Sequence, residues 1–157
     1  MDILVLGIGQ SMRGDDAAGL EVVRQWQARY PGSADRVKVE FSELPWLALL
    51  DSLAGMNAAI LVDAVHSLAT VGTVLRLGPD ELASFTPKTA PSHGWGIAET
   101  LHFGFSLYPW VRKCRITLIG IVGRDFGLGA RIGSEVAIAI LKAGEMVETE
   151  IQALNNK

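Results

Sequence analysis

Three short apolar runs constrain the fold of this chain more than any other feature: ILVLGI at Ile3–Ile8, AAILV at Ala58–Val62 and ITLIGIV at Ile116–Val122. None alternates apolar with polar residues, so each reads as a strand buried on both faces, the kind found at the centre of a parallel sheet. Parallel neighbours need crossovers, and helical patterns lie between the runs. Ala17 to Tyr30 places Leu20, Val23 and Trp26 on one face and stops at Pro31-Gly32. Pro45 to Leu53 begins with a proline suited to a first helical turn. His93 to about Tyr108 and Gly133 to about Asn155 complete the helical set. Val37 to Phe41 reads as a further strand. Gly72 to Leu77 follows Asp63 too closely for a helical crossover and reads as an antiparallel edge strand. Pro79-Asp80-Glu81 opens a short helical turn. The order predicts a three-layer α/β domain with a mixed sheet and helices on both faces.

At 157 residues the chain suits one domain spanning 1–157 and can bury roughly 70% of the surface its unfolded form exposes. The net charge of −3 comes without a basic stripe, which argues against a nucleic-acid partner. No apolar run approaches the roughly 18 residues of a membrane span. No cationic leader precedes the first strand, so a cytoplasmic protein, away from membranes and monomeric, is expected. The lone cysteine, Cys114, cannot form an internal disulfide; it borders an apolar run without a flanking histidine motif and reads as a small buried residue.

The first strand leads into GIGQSMRGDDAAG, where Gly7, Gly9 and Gly14 permit a tight turn before a helix. A dinucleotide turn wants G-x-G-x-x-G, yet its third glycine position holds Met12. A P-loop wants lysine and a hydroxyl residue where Asp15 and Asp16 stand, and two carboxylates would repel a phosphate. Asp15 and Asp16 could cap the helix that follows, but a second aspartate beside the first suggests a carboxylate aimed into the crevice above the sheet.

The strand AAILVDAVHS carries Asp63 at the carboxyl edge, where α/β proteins bind ligands; the alternative is an acid that solvates the following turn. His66 lies three residues on and reads as exposed. In SFTPKTAPSHGW, a candidate functional loop, His93 opens a helix, and the positive helix end favours a neutral imidazole able to ligate a metal. His102 sits between Leu101 and Phe103 and reads as half-buried structure. Asp16, Asp63 and His93 together make an O,O,N set suited to nickel, zinc or manganese with positions left open. A nucleotide-binding or regulatory module using the glycine turn and Glu40 is the rival reading. A peptidase-like scaffold that only escorts a partner is another.

With these motifs in hand, the sequence resembles the [NiFe]-hydrogenase maturation proteases, endopeptidases that trim the C-terminus of the hydrogenase large subunit. The likeness covers nearly the whole chain. ILVLGIGQSMRGDDAAG is similar to the family's opening G-x-G-N-x-x-x-x-D-[DE]-x-x-G, with Gln10 for the usual Asn; ILVDAV and SHGWGIAETL match two further motifs. The resemblance implies a twisted, mostly parallel five-stranded sheet. It implies that Asp16, Asp63 and His93 meet nickel carried in by the large-subunit precursor, with Asp16 and Asp63 as the catalytic carboxylates. Asp15, Gly7, Gly9 and Gly14 then support the site. EFSELPWLALL stands where many members carry an acidic D-G-G-[TS] turn, and the loop Gly123-Arg124-Asp125-Phe126 lacks a frequent proline; the first departure bears on substrate choice.

Overall fold

The computed structural model describes residues 1–43, 47–84 and 96–156. His93 and the rest of the loop 85–95, and the turn 44–46 with the predicted helix start at Pro45, lie outside the described residues. The strands are β1 (Ile3–Ile8), β2 (Lys38–Ser42), β3 (Ala58–Val65), β4 (Val74–Leu77) and β5 (Arg115–Val122). The helices are α1 (Ala18–Arg29), α2 (Pro31–Ala34), α3 (Leu47–Leu53), α4 (Pro79–Ser84), α5 (Ile97–Leu107) and α6 (Ser134–Asn155). Tighter 3-10 turns occupy Gly14–Ala17 and Pro109–Lys113.

The sheet runs β2-β1-β3-β5-β4. The pairs β1–β2, β1–β3 and β3–β5 are parallel and β4 is an antiparallel edge, as the sequence pattern predicts. Side chains alternate across a strand, so each apolar run serves two layers. Ile3, Val5, Ile60, Val62, Ile119 and Ile121 pack with α1 and α6, whereas Leu4, Leu6, Leu61, Ile116 and Leu118 pack with α3, α4 and α5. Strand β3 continues three residues past the apolar run to Val65, so Asp63 lies inside the strand rather than after it. Its polar side chain hides that continuation from a reading based on apolar runs.

Glycine in α1 sets the depth of the helix on the sheet. A Cβ on Gly19 would lie 2.3 Å from the carbonyl oxygens of both Ile8 and Val62 and 2.9 Å from the Asp63 Cα. Only a residue without a side chain lets the first turn of α1 rest on the ends of β1 and β3. The close-packing glycine of a nucleotide turn is therefore present, but seven positions later than Met12, after an intervening 3-10 turn.

Charges hold the two layers and the sheet edges. Glu148 of α6 is buried, and Trp26 Nε1 and Ser33 Oγ donate to it at 3.0 and 2.7 Å, with Gln152 Nε2 at 3.1 Å. Burial pushes its carboxyl up, but the donors Ser33, Trp26 and Gln152 outweigh that and hold it below its ordinary value. On the outer strand β2, Lys38 pairs with Glu40 at 2.6 Å; on β4, Arg76 makes a two-pronged pair with Glu150 of α6. Cys114 is buried, and burial raises its thiol to about 11, matching an inert packing residue. Among the described residues no helix is long and apolar enough to cross a membrane.

Candidate active site

The connections leaving β1 and β3 run to opposite sides of the sheet: β1 feeds α1 and leads outward to β2, while the chain after β3 leads toward β4 and β5. A crevice opens at such a reversal, beyond the carboxyl ends of the strands. Asp16 enters it from the 3-10 turn after β1, and Asp63 from β3 itself. Gly9 permits this approach, since a Cβ there would fall 1.9 Å from the Asp16 carbonyl oxygen. Gly7 lies within β1, and Gly14 opens the turn.

Asp16 lies near enough to Asp63 for its charge to act on it, and both carboxyls have few donors. Burial raises the Asp63 carboxyl well above its ordinary value, the Asp16 charge adds to the rise, and the Ala64 backbone N–H only partly opposes it. Asp16 is half-buried and also raised by burial, against the lowering effect of the Gln10 backbone N–H, Arg13 and His66. The Asp16 charge therefore makes ionisation of Asp63 harder.

Asp15 behaves differently. Neither aspartate caps α1 or the 3-10 turn, the alternative that the sequence left open. The Asp15 carboxylate is 2% exposed and reaches across to the loop after β5. It accepts N–H bonds from Arg124 at 2.8 Å and Asp125 at 3.0 Å on one oxygen, and from Gly133, at the head of α6, at 2.8 Å on the other. Its own N–H donates to the Asp125 carbonyl at 2.8 Å. Burial raises the carboxyl, but the donors Arg124, Gly133 and Asp125 and the Arg124 charge more than reverse this and leave it lowered. Asp15 thus fastens the 123–133 loop to the crevice wall.

The loops after β1, β2, β3 and β5 meet at the same carboxyl edge. Ser11 N–H donates to the Glu43 carboxylate and Gln10 Nε2 to the Glu43 carbonyl, at 3.3 Å. The two departures at Gln10 and in EFSELPW therefore touch each other. Gly129 N–H donates to the Met12 carbonyl at 2.8 Å. Met12, Leu68 and Leu128 expose apolar side chains on three of these loops. His66, exposed as expected, stacks on Phe126 with ring centroids 4.1 Å apart and planes at 30°. No local pattern signals this stack, because the two residues lie on separate loops. Glu40, the candidate ribose acid, pairs instead with Lys38 and Ser52, which lower its carboxyl. Among the described residues no three metal-ligating side chains converge on one point.

No protein-family model matches the chain. The Hydrogenase 2 maturation protease of Escherichia coli (strain K12) is 32% identical to it over 124 residues, covering 78% of this chain and 73% of that protein. The chain belongs to the hydrogenase maturation protease family. A further relative, from Methanocaldococcus jannaschii, is 28% identical over 156 residues, 96% of this chain and 97% of its own length. The fold of the hydrogenase maturation protease family is also the fold seen here. The [NiFe] hydrogenase maturation protease HybD from Thermococcus kodakarensis superposes with a TM-score of 0.71 at 23% identity, covering 96% of this chain and 99% of that one.

Proposed function

We propose that this protein is an endopeptidase that removes the C-terminal extension of a [NiFe]-hydrogenase large-subunit precursor after nickel has been inserted. Asp16 and Asp63 are its reacting carboxylates, and with His93 they meet the nickel that the precursor carries. The observation that supports this most is the acid pair itself: two donor-poor carboxylates at the carboxyl ends of β1 and β3, each raised above its ordinary value, with the Asp16 charge acting on Asp63. Groups kept this way store a cost that a capping or solvated aspartate would avoid, and such perturbed carboxyls mark functional sites.

The donor chemistry fits. Two carboxylate oxygens and one imidazole make a borderline set with coordination positions left over. Asp63 points to the face on which α5 packs, and α5 is the helix that follows His93 in the chain. Nickel is part of the substrate here. Its positive charge would relieve the repulsion between Asp16 and Asp63, so the site accepts a loaded precursor better than an empty one. A metal in this place can also polarise a peptide carbonyl. The protein's own contribution is to hold the chain to be cut against a carboxylate able to take a proton from water. The exposed apolar residues Met12, Leu68 and Leu128 give that chain a rim to rest on.

The test is to incubate the purified protein with nickel-loaded and nickel-free large-subunit precursors and follow the C-terminal trimming by mass. Trimming of the loaded form alone is expected. Equal trimming of both would end the nickel-dependent reading, and tight NAD or ATP binding without trimming would replace it with the nucleotide-module reading.

A further inference from the structure

His66 has no part in the acid pair, yet the structure holds it with care. It follows the last residue of β3 directly and comes three residues after Asp63. Its ring lies on Phe126, and Phe126 is itself fixed: the ring edge covers Gly123, where a Cβ would meet Phe126 Cζ at 2.8 Å and Asp15 Cβ at 2.9 Å. Asp15 then anchors the loop that carries Phe126 through its bonds to Arg124, Asp125 and Gly133. A chain of contacts thus runs from the buried Asp15 through Phe126 to an exposed imidazole, close enough for its charge to act on Asp16. Among the described residues His66 has no hydrogen-bond partner.

A stacked ring is fixed in its plane while the nitrogens at its edge stay open. Imidazole keeps at least one N–H donor whether neutral or charged. The ionised acid pair offers only acceptors, whereas a polypeptide laid across it presents carbonyl oxygens that need a donor. Arg13 also acts on Asp16, but its guanidinium sits on a long exposed side chain with no ring packed against it among the described residues. On the reading of the site as a peptidase, we infer that His66 is a substrate-contacting residue whose ring N–H, oriented by the Phe126 stack, donates a hydrogen bond to a main-chain carbonyl of the polypeptide being cut. Phe126 and Asp15 are positioning residues for it.

Two substitutions separate this role from packing. His66→Phe keeps an aromatic ring on Phe126 and removes the donor; His66→Gln removes the ring and keeps a donor. With the nickel-loaded precursor, His66→Phe is expected to lower kcat/KM about tenfold, mainly by raising KM, the loss of one hydrogen bond to a bound main-chain carbonyl. His66→Gln is expected to recover part of that loss, and both variants to melt like the wild type. Full activity in His66→Phe, or a His66→Gln variant worse than His66→Phe, overturns the inference and leaves a packing role. If the wild type binds the precursor but cuts nothing, the peptidase reading fails. His66 is then judged by binding, where a roughly tenfold weakening in His66→Phe supports the hydrogen bond and unchanged affinity overturns it. Wild type that neither cuts nor binds removes both readings together.

Discussion

Asp15 and Asp16 are adjacent in sequence, and the regions they enter differ in nearly every physical respect. Asp15 points into the loop after β5, where three backbone N–H groups receive it, and its carboxyl is held low. Asp16 points into the crevice with Asp63, where donors are scarce, and both carboxyls are raised. Burial opposes charge in both regions, and the number of donors decides which way each group moves. The first region is built for stability. The second gives stability up in order to keep two acceptors available, a trade common at sites that must accept a ligand.

The largest expected effect follows from exchanging the second region's charge. Asp16→Asn and Asp63→Asn should each lower precursor trimming by 100-fold or more, about the scale lost with a general acid–base group, while circular dichroism shows an intact fold. Either variant trimming within tenfold of wild type would erase the distinction between the regions. Next in size, Asp15→Ala should lower unfolding stability in urea by about 3 kcal/mol or more, because three donors lose a charged acceptor in a buried place. A loss under about 1 kcal/mol would mean that water replaces the carboxylate and that the latch is weak.

A pH series sharpens the contrast, because the two regions respond with opposite sign. Asp15 has a folded value below its ordinary 3.8, so its contribution is present above about pH 4 and fades as pH falls through the folded value. Asp63 has a folded value well above 3.8, so any contribution exists at low pH and is lost as pH rises through the folded value. Thermal melts should therefore show Asp63→Asn gaining on wild type toward neutral pH, by about 1 kcal/mol, and Asp15→Asn converging on wild type in acid. Parallel curves for the two variants would contradict the assignment. The smallest effect belongs to the far layer. Glu148→Gln should cost about 1 kcal/mol by weakening its bonds to Trp26 and Ser33, and it should leave trimming unchanged.

Much of this was legible in the sequence, for identifiable reasons. Ile3–Ile8 matches β1 at both ends because glycine and apolar residues bound it sharply, and the antiparallel β4 follows from a connection too short for a crossover. Asp16 and Asp63 could be placed at one sheet edge from topology alone. Other features could not. The end of β3 was hidden because Asp63 interrupts the apolar run. Asp15 reads locally as a helix cap, but its partners lie more than a hundred residues away, a separation that no local pattern reports. The His66–Phe126 stack and the Gln10–Glu43 contact likewise join loops whose meeting depends on strand order. Gly19 was visible as the last glycine of DDAAG, but its purpose emerges only when the carbonyls of Ile8 and Val62 are seen beneath it.

The two edges of the sheet carry a further consequence. Strand β2 spans five residues and wears the Lys38–Glu40 pair, and β4 spans four and is tethered through Arg76 to Glu150. Short, charged borders are poor templates for an incoming strand. A polypeptide that came to this molecule would find little profit in lengthening the sheet by main-chain pairing. It would instead approach end-on, across the loop tips, where its identity is read from side chains and from whatever it carries.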